Sequence, residues 1–477
     1  MNSTRGMQSI CLLFFFFNFF SQIADAKGDV IPSEAYRFSM SLDSSHRPAP
    51  PLGLPKSLQE AFEAAVRRSE TVGMQEELLV QAHEVDAQAV GAIFPTLNSS
   101  FSFLRQETPA SATGSAIFPA SQNTGKLTLD QPLFRGLRDF AALRQKKLLV
   151  NAQVGAYLNA AKQLFYDLST AYYNVLAYER DVINYQIEIE LNQKRLVELE
   201  EFFKIGRSQL TDVLTFKANI ASLEAQLEMT RGQLETAKEV LAYLTGWDRG
   251  TTLRDTEVLF RSSERGAQSS SANSARVLDA PKPIQSYLDL IENRPDVRSA
   301  LDHVKANNEG IPIAFGAHFP SIDLIADYYL FRPGALKNVD WDASIAITFP
   351  LFQGGVIQSQ VRQANSVSRQ YSLVLSQTRR LAEQEVRTYY DAVEADRKQV
   401  IKLTDLLDIS KKNYETELEY YRRGLVTNLD VFQAMTTYQV AVRQLDHMRI
   451  QYHSDGVKLL ASTGQRSEVN EIKIPKP

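Results

Sequence analysis

Between residues 164 and 203, apolar side chains recur in alternating steps of four and three: Leu164, Leu168, Ala171, Val175, Tyr178, Val182, Tyr185 and Ile189, then Asn192, Leu196, Leu199 and Phe203. That spacing predicts a helix with a coiled-coil seam. A second seam follows Gly206, through Val213, Phe216, Ile220, Leu223, Leu227, Thr230, Leu234, Ala237, Leu241 and Leu244. Gly206 is therefore read as the turn between two antiparallel helices. If the first runs from about Leu137 to Ile205, at 1.5 Å per residue it is about 100 Å long, beyond any ordinary globular domain. A comparable seam through Val431, Ala434, Tyr438, Ala441, Leu445, Met448 and Tyr452 follows Gly424.

Elsewhere the period shortens to two. Phe94-Pro95 and Phe319-Pro320 should break the incoming helices, because proline lacks the amide donor and clashes with the preceding turn. After Pro95, Leu97, Phe101 and Phe103 alternate with Asn98, Ser100 and Ser102. Leu127, Leu129 and Leu133 alternate with Lys126, Thr128 and Asp130 in the predicted partner strand. Ile322, Leu324, Ala326, Tyr328 and Leu330 oppose Ser321, Asp323, Asp327 and Tyr329, with Ile325 the exception. Trp341, Ala343, Ile345, Ile347 and Phe349 oppose Asp342, Ser344 and Thr348. Each strand thus has one apolar and one polar face, at roughly the 9 to 11 residues that cross a bilayer. An isolated hairpin of this kind would be read as part of a soluble sheet. Here no remaining segment is suited to cover four apolar faces, and four strands cannot close a barrel alone, so closure by oligomerisation is expected. The polar segments Gln106 to Thr124 and Arg332 to Val339 are expected as extracellular turns.

The chain repeats itself. Pro132-Leu133-Phe134-Arg135-Gly136 recurs 218 positions later as Pro350-Leu351-Phe352-Gln353-Gly354. At the same spacing Gly206, Asp212 and Val213 recur as Gly424, Asp430 and Val431, and Thr245-Gly246 as Thr463-Gly464. Two fused copies of one helix-strand-strand-helix-helix unit explain this order. Pro95, Pro132, Gly136, Pro320, Pro350 and Gly354 are its expected strand-helix junctions. Pro312, inside Asn308-Glu309-Gly310-Ile311-Pro312, should kink or end the helix that carries it.

The N-terminus has Arg5, an apolar run from Ile10 to Phe20 and Ala24-Asp25-Ala26, the pattern of a secretory leader cleaved after residue 26. The single cysteine, Cys11, lies in that run, so neither a disulfide framework nor a cleavage-site lipid anchor is expected. No later stretch reaches the roughly 18 to 20 apolar residues of a membrane-spanning helix. With 477 residues and a formal net charge of −4, the chain gives no electrostatic reason to expect nucleic acid. The histidines are scattered, and no phosphate-binding loop, nucleophile elbow or His-Glu-x-x-His is present, so no metal, cofactor or enzymatic activity is expected.

The doubled Pro-Leu-Phe-x-Gly, the doubled Gly-x5-Asp-Val turns and the Leu-x-Thr-Gly and Ser-Thr-Gly helix ends resemble the TolC family of outer-membrane efflux proteins over roughly Leu54 to Gly464. The resemblance implies a mainly α fold with a small β part. A long antiparallel coiled-coil α-barrel in the periplasm would continue into a transmembrane β-barrel of four strands per chain, twelve in a trimer. It also implies a periplasmic adaptor (membrane fusion) protein and an inner-membrane transporter of RND, ABC or MFS type as partners. The barrel would contact outer-membrane lipid in a Gram-negative cell, and the exported cargo would be small molecules or proteins, including through type I secretion. The family carries an acidic residue nine positions before the second turn glycine, which here is Glu415; the position six before it is Leu418. Glu415 and Glu419 share a helical face and are candidates for the periplasmic pore constriction. An ordinary solvated coiled-coil face is the alternative for both. Glu198, Glu200 and Glu201 are expected on an outer surface. Gly206, Asp212, Gly424 and Asp430 are candidates for adaptor-docking turns, with the aspartates capping the returning helices.

The expected organisation is a leader (1–26), an extended lead-in (27–55), a first repeat (56–246; strands about 95–105 and 125–134, hairpin 137–246) and an equatorial linker (247–283). A second repeat follows (284–464; strands about 320–331 and 340–349, hairpin 354–464), then a tail (465–477). The rival functional readings are a secreted coiled-coil scaffold or adhesin without a pore, which leaves the four strands unexplained, and an enzyme carried on helical hairpins, for which no chemical constellation is present.

Overall fold

The computed structural model describes residues 56–107, 121–253 and 281–464. The expected leader, lead-in and tail, the Ser-rich part of the linker and most of the expected turn from Gln106 to Thr124 lie outside the described residues. Within them the chain runs α1 (Leu58–Arg68), α2 (Glu70–Gly91), β1 (Thr96–Arg105), β2 (Ser121–Arg135), α3 (Arg138–Lys204), α4 (Leu210–Thr245), α5 (Ile284–Leu288), α6 (Pro295–Gly316), β3 (Ser321–Phe331), β4 (Trp341–Thr348), α7 (Val356–Arg422) and α8 (Asn428–Ser462).

The repeat holds at the level of single residues. Helices α2 and α6 both have 22 residues, and α3 and α7 both have 67. At about 1.5 Å per residue the last two are each about 100 Å long. Helix α3 packs along α4, and α7 along α8, forming two hairpins. Their seams are apolar: Ile189, Ile220, Leu223 and Leu227 form one buried cluster, and Leu199, Val213, Phe216 and Met435 join the hairpins nearer their tips. Each fully buried Leu or Phe contributes about 1.5–3 kcal/mol, so these seams, rather than local propensity alone, hold the long helices together. Most of the predicted positions are buried or half-buried; Phe203, beside the tip, is 43% exposed.

Between hairpins the packing changes character. Where α3 meets α8, Arg180 Nε lies 2.7 Å from Asp446 Oδ2, which also accepts from Asn184. Arg443 pairs with Glu188. Arg195 donates to Asn428 and stacks 4.4 Å from the Tyr421 ring centre.

The four strands form one antiparallel sheet in the order β1-β2-β3-β4. Thr96 pairs with Asp130 and Leu97 with Leu129, just as Ser321 pairs with Thr348 and Ile322 with Ile347. The two hairpins meet between β2 and β3, with a bulge between Pro132 and Phe134. Two expectations about this region are corrected. Strand β2 begins at Ser121 rather than near 125, because its polar first residues continue the ladder with β1 as far as Arg105. Pro132 lies inside that strand, not at its end; the bulge accommodates the donor it lacks.

Pro312 does not end its helix: α6 continues through it to Gly316. Only the bond to the Asn308 carbonyl is lost. The turn before the proline is held from two other helices, by the ion pair of Arg144 with Glu309 at 2.8 Å and by Ser368 Oγ donating to Asn308 Oδ1 at 2.6 Å.

Candidate functional site

Two regions of the fold carry the candidate residues: the free tips of the hairpins and the sheet with its junctions. Both tips are built alike. At Gly206 (φ +72°) the Arg207 amide bonds back to the Phe202 carbonyl, and at Gly424 (φ +74°) the Leu425 amide bonds back to Tyr420. This left-handed closure ends a helix within two residues and suits glycine. The returning helices then begin on Gln209 and Thr427, which corrects the expected role of the aspartates. Asp212 and Asp430 are not the caps themselves but sit three positions further on, accepting from the Gln209 amide at 3.1 Å and the Thr427 amide at 2.9 Å. The hydrogen bonds from the Thr427 hydroxyl and amide hold the Asp430 carboxyl below its usual value.

The two candidate constriction residues differ. Glu415 is exposed and has no ion pair among the described residues. Glu419, four positions on, is engaged by Arg423. The family position and shared helical face that singled them out did not anticipate this, although the i,i+4 spacing from Glu419 to Arg423 was its signal. Glu417, between them, is half-buried and has a carboxylate oxygen with no partner. On the first hairpin the exposed Glu198 pairs with the buried Arg195, and Glu200 with the exposed Lys217.

The sheet separates its faces sharply. Leu97, Phe101 and Phe103 on β1 are 68%, 70% and 65% exposed, and Ile345 and Ile347 on β4 are 63% and 67% exposed. Opposite them runs a polar face on which two ion pairs join the repeats: Lys126 with Asp327 at 2.7 Å and Arg135 with Asp323 at 3.0 Å. Among the described residues no helix is long and apolar enough to cross a membrane. No group of metal-ligating side chains occurs among them either.

Pro95 and Pro320 stand directly before β1 and β3, and Pro350 follows β4. Gly136 and Gly354 both have positive φ, as do the residues after them, Leu137 and Gly355. The Gly136 turn rests on the end of α6 so closely that an added Cβ would lie 2.2 Å from the Gly316 carbonyl oxygen.

Two further clusters were not legible as sites. Arg294, at the start of α6, is 1% exposed and holds Asp296, Glu385 and the Ser462 carbonyl together. Asp396 of α7 faces Asp455 of α8 across the second hairpin. Burial, then the Asp455 charge and the proton the two can share, push the Asp396 carboxyl up to about 6. Asp455 also meets Gln451 and Lys458. The folded hairpin thus binds more protons than the unfolded chain between the ordinary value of 3.8 and about 6. The pair's contribution is fully favourable below that window and is lost as pH rises through about 6. Asp396→Asn should therefore flatten the decline of the thermal unfolding midpoint across pH 4 to 6. An unchanged slope would assign the proton elsewhere.

The sequence profile of the family described as "Outer membrane efflux protein" matches residues 66–247 and 287–465. Outer membrane protein TolC of Escherichia coli (strain K12) is 23% identical over 380 residues, spanning 74% of this chain and 72% of that protein. Fusaric acid resistance protein FusA of Burkholderia cepacia is 26% identical over 305 residues, spanning 60% of this chain and 53% of FusA. Among solved structures, the outer membrane protein VceC of Vibrio cholerae shares the fold with a TM-score of 0.69 at 19% identity, over 85% of this chain and 96% of VceC. The open-state MtrE outer membrane channel of Neisseria gonorrhoeae gives 0.66 at 18% identity, over 85% and 88%. Because the profile takes in both hairpins and the sheet between them, the chain belongs to the outer membrane efflux protein family and is a transport protein of the outer membrane, not an enzyme.

Proposed function

We propose that this chain forms a homotrimeric channel-tunnel, with twelve strands closed into a barrel in the outer membrane and the helical hairpins extending into the periplasm. The observation that carries this reading is the sheet itself: four strands with one exposed apolar face, one ion-paired polar face and two unpaired edges, β1 and β4. An open sheet with lipid-compatible sides has unsatisfied edge groups that only closure removes. The hairpin tips built around Gly206, Asp212, Gly424 and Asp430 would meet a periplasmic adaptor, itself joined to an inner-membrane transporter. Cargo would be small molecules, proteins or both, through tripartite efflux or type I secretion. Names such as that of FusA favour the small-molecule branch.

Conductance in a planar bilayer, measured with the oligomer mass of the same detergent-purified sample, tests the proposal. Discrete conductance from a trimer is expected. A water-soluble monomer that never conducts would instead support a coiled-coil scaffold. In the conducting trimer, Glu415→Gln should lower cation over anion preference about twofold, the effect of about 0.5 kcal/mol from a charge ~8 Å away in water. Glu419→Gln should do less, because Arg423 already balances that carboxylate. Equal effects, or none, would remove Glu415 from the constriction.

A further inference from the structure

Gln439 lies on α8 one turn from Met435 on one side and one turn from Arg443 on the other. Met435 packs against Leu199, Val213 and Phe216 of the first hairpin, and Arg443 pairs with Glu188 of α3. Residues four apart share a helical face, so Gln439 looks at the stretch of α3 between Glu188 and Leu199. Asn192, in that stretch, is fully buried. Gln439 is 5% exposed, yet neither its amide nitrogen nor its amide oxygen has a hydrogen-bond partner among the described residues. Turning the amide over only exchanges one unmet end for the other.

The groups around it are partly engaged already. Asn192 Nδ2 donates to the Glu188 carbonyl at 2.8 Å, and its Oδ1 accepts from Asn219 at 3.0 Å. Each of those two atoms keeps capacity for one further hydrogen bond. A second copy of the chain cannot supply it to Gln439, because the side chain is already closed off within one chain. An amide shut away from solvent with both ends unmet destabilises a fold, so a small ligand is called for. The chemistry of the gap says which. A cation would satisfy only the amide oxygen and an anion only the nitrogen, and either would add net charge beside Glu188 and Arg443, which are already paired. Water both donates and accepts, and buried water is found at polar sites of this kind.

We propose that Gln439 binds a buried water molecule that bridges its amide to Asn192 across the joint between the two hairpins. The joint is then hydrated at a level where the seam inside the first hairpin, through Ile189, Ile220, Leu223 and Leu227, is apolar. A slide of α8 by one turn toward the tips would carry Gln439 into the place of Met435, against Leu199 and Phe216, where no such bridge can form. The water therefore also marks the register of one hairpin on the other, as a single buried polar residue does in a coiled coil. The inference concerns one chain and does not rest on the trimeric channel.

A density map of the detergent-purified full-length protein, at a resolution that shows single waters, tests it directly. One water is expected within about 3.2 Å of the Gln439 amide, on the side of Asn192. Gln439→Met, of similar length, should lower the thermal midpoint by about 2 °C, because the water loses its anchor. Were the site dry, the same change would remove two unmet groups and raise the midpoint. Asn192→Ala combined with Gln439→Met should cost less than the sum of the two alone, since both hold one water. A map without that water, a raised midpoint in Gln439→Met, or additive shifts in the double variant would each overturn the proposal.

Discussion

Gly136→Ala should leave almost no folded protein. The added methyl would sit 2.2 Å from the Gly316 carbonyl oxygen and 3.0 Å from Phe319 Cβ, at a backbone angle of φ +66°. The left-handed conformation costs an alanine about 1–2 kcal/mol, and forcing atoms into a filled junction costs about 1–3 more. Because the obstacle is backbone, no side chain can move aside. Gly354→Ala, at φ +59° with open space around it in the chain, carries only the conformational part before assembly. It should keep its helical signal, whereas Gly136→Ala should lose it. Far-UV circular dichroism on the two variants separates these outcomes. Equal loss of helical signal in both would show that the close approach to Gly316 is not the cause.

Arg294→Met should cost about 3–5 kcal/mol, the usual consequence of removing one member of a buried ionic cluster. The guanidinium reaches the Ser462 carbonyl at 2.6 Å, Asp296 at 2.7 Å and Glu385 at 2.7 Å, tying the start of α6 to α7 and to the end of α8. Burial pushes the Asp296 carboxyl up, but the Arg294 hydrogen bond and the Lys162 and Arg294 charges outweigh it and hold the carboxyl below its usual value. Its contribution is therefore present above the ordinary carboxylate range and lost as pH falls through the lower folded value. In the methionine variant that dependence should weaken, since Glu385 loses its arginine partner while Asp296 keeps Lys162, at 3.4 Å. Adding Glu385→Gln should recover part of the loss in the thermal midpoint. A variant as stable as the parent, or one that Glu385→Gln leaves unimproved, would reduce Arg294 to packing alone.

The sequence disclosed those features whose cause is local or periodic. The four-three spacing of Leu168, Ala171 and Val175 reports a helix seam, because burial on one side of a 3.6-residue helix leaves no other pattern. The alternation in β1 and β4 reports two-sided strands for the same reason. Turn glycines appear at Gly206 and Gly424 because side chains resist the left-handed conformation there. What the sequence concealed depends on partners distant along the chain. Arg294 meets Glu385 and Ser462 only after α6, α7 and α8 have packed, and no local pattern sets such a residue apart from a surface arginine. Asp396 and Asp455 are each unremarkable within their own helices. That Pro312 does not end α6 is of the same kind: its local cost is real, but Arg144 and Ser368 on other helices hold the turn before it. At the tips, the candidate glutamates could be located by spacing, whereas the state of each depended on its neighbours. Arg423 takes Glu419 out of play and leaves Glu415 free.

Helices α3 and α7 are equal in length, at 67 residues each. That equality makes length a property of the pair. Deleting seven residues from each arm of one hairpin would keep its seam in phase but draw its tip about 10 Å back from that of its twin. The rim that both tips share would then be uneven, and a flat partner could seat on only half of it. Among relatives that have grown longer or shorter, insertions and deletions should therefore come in matched sets of four, one in each arm of each repeat, and an unmatched change should fall outside the rods altogether.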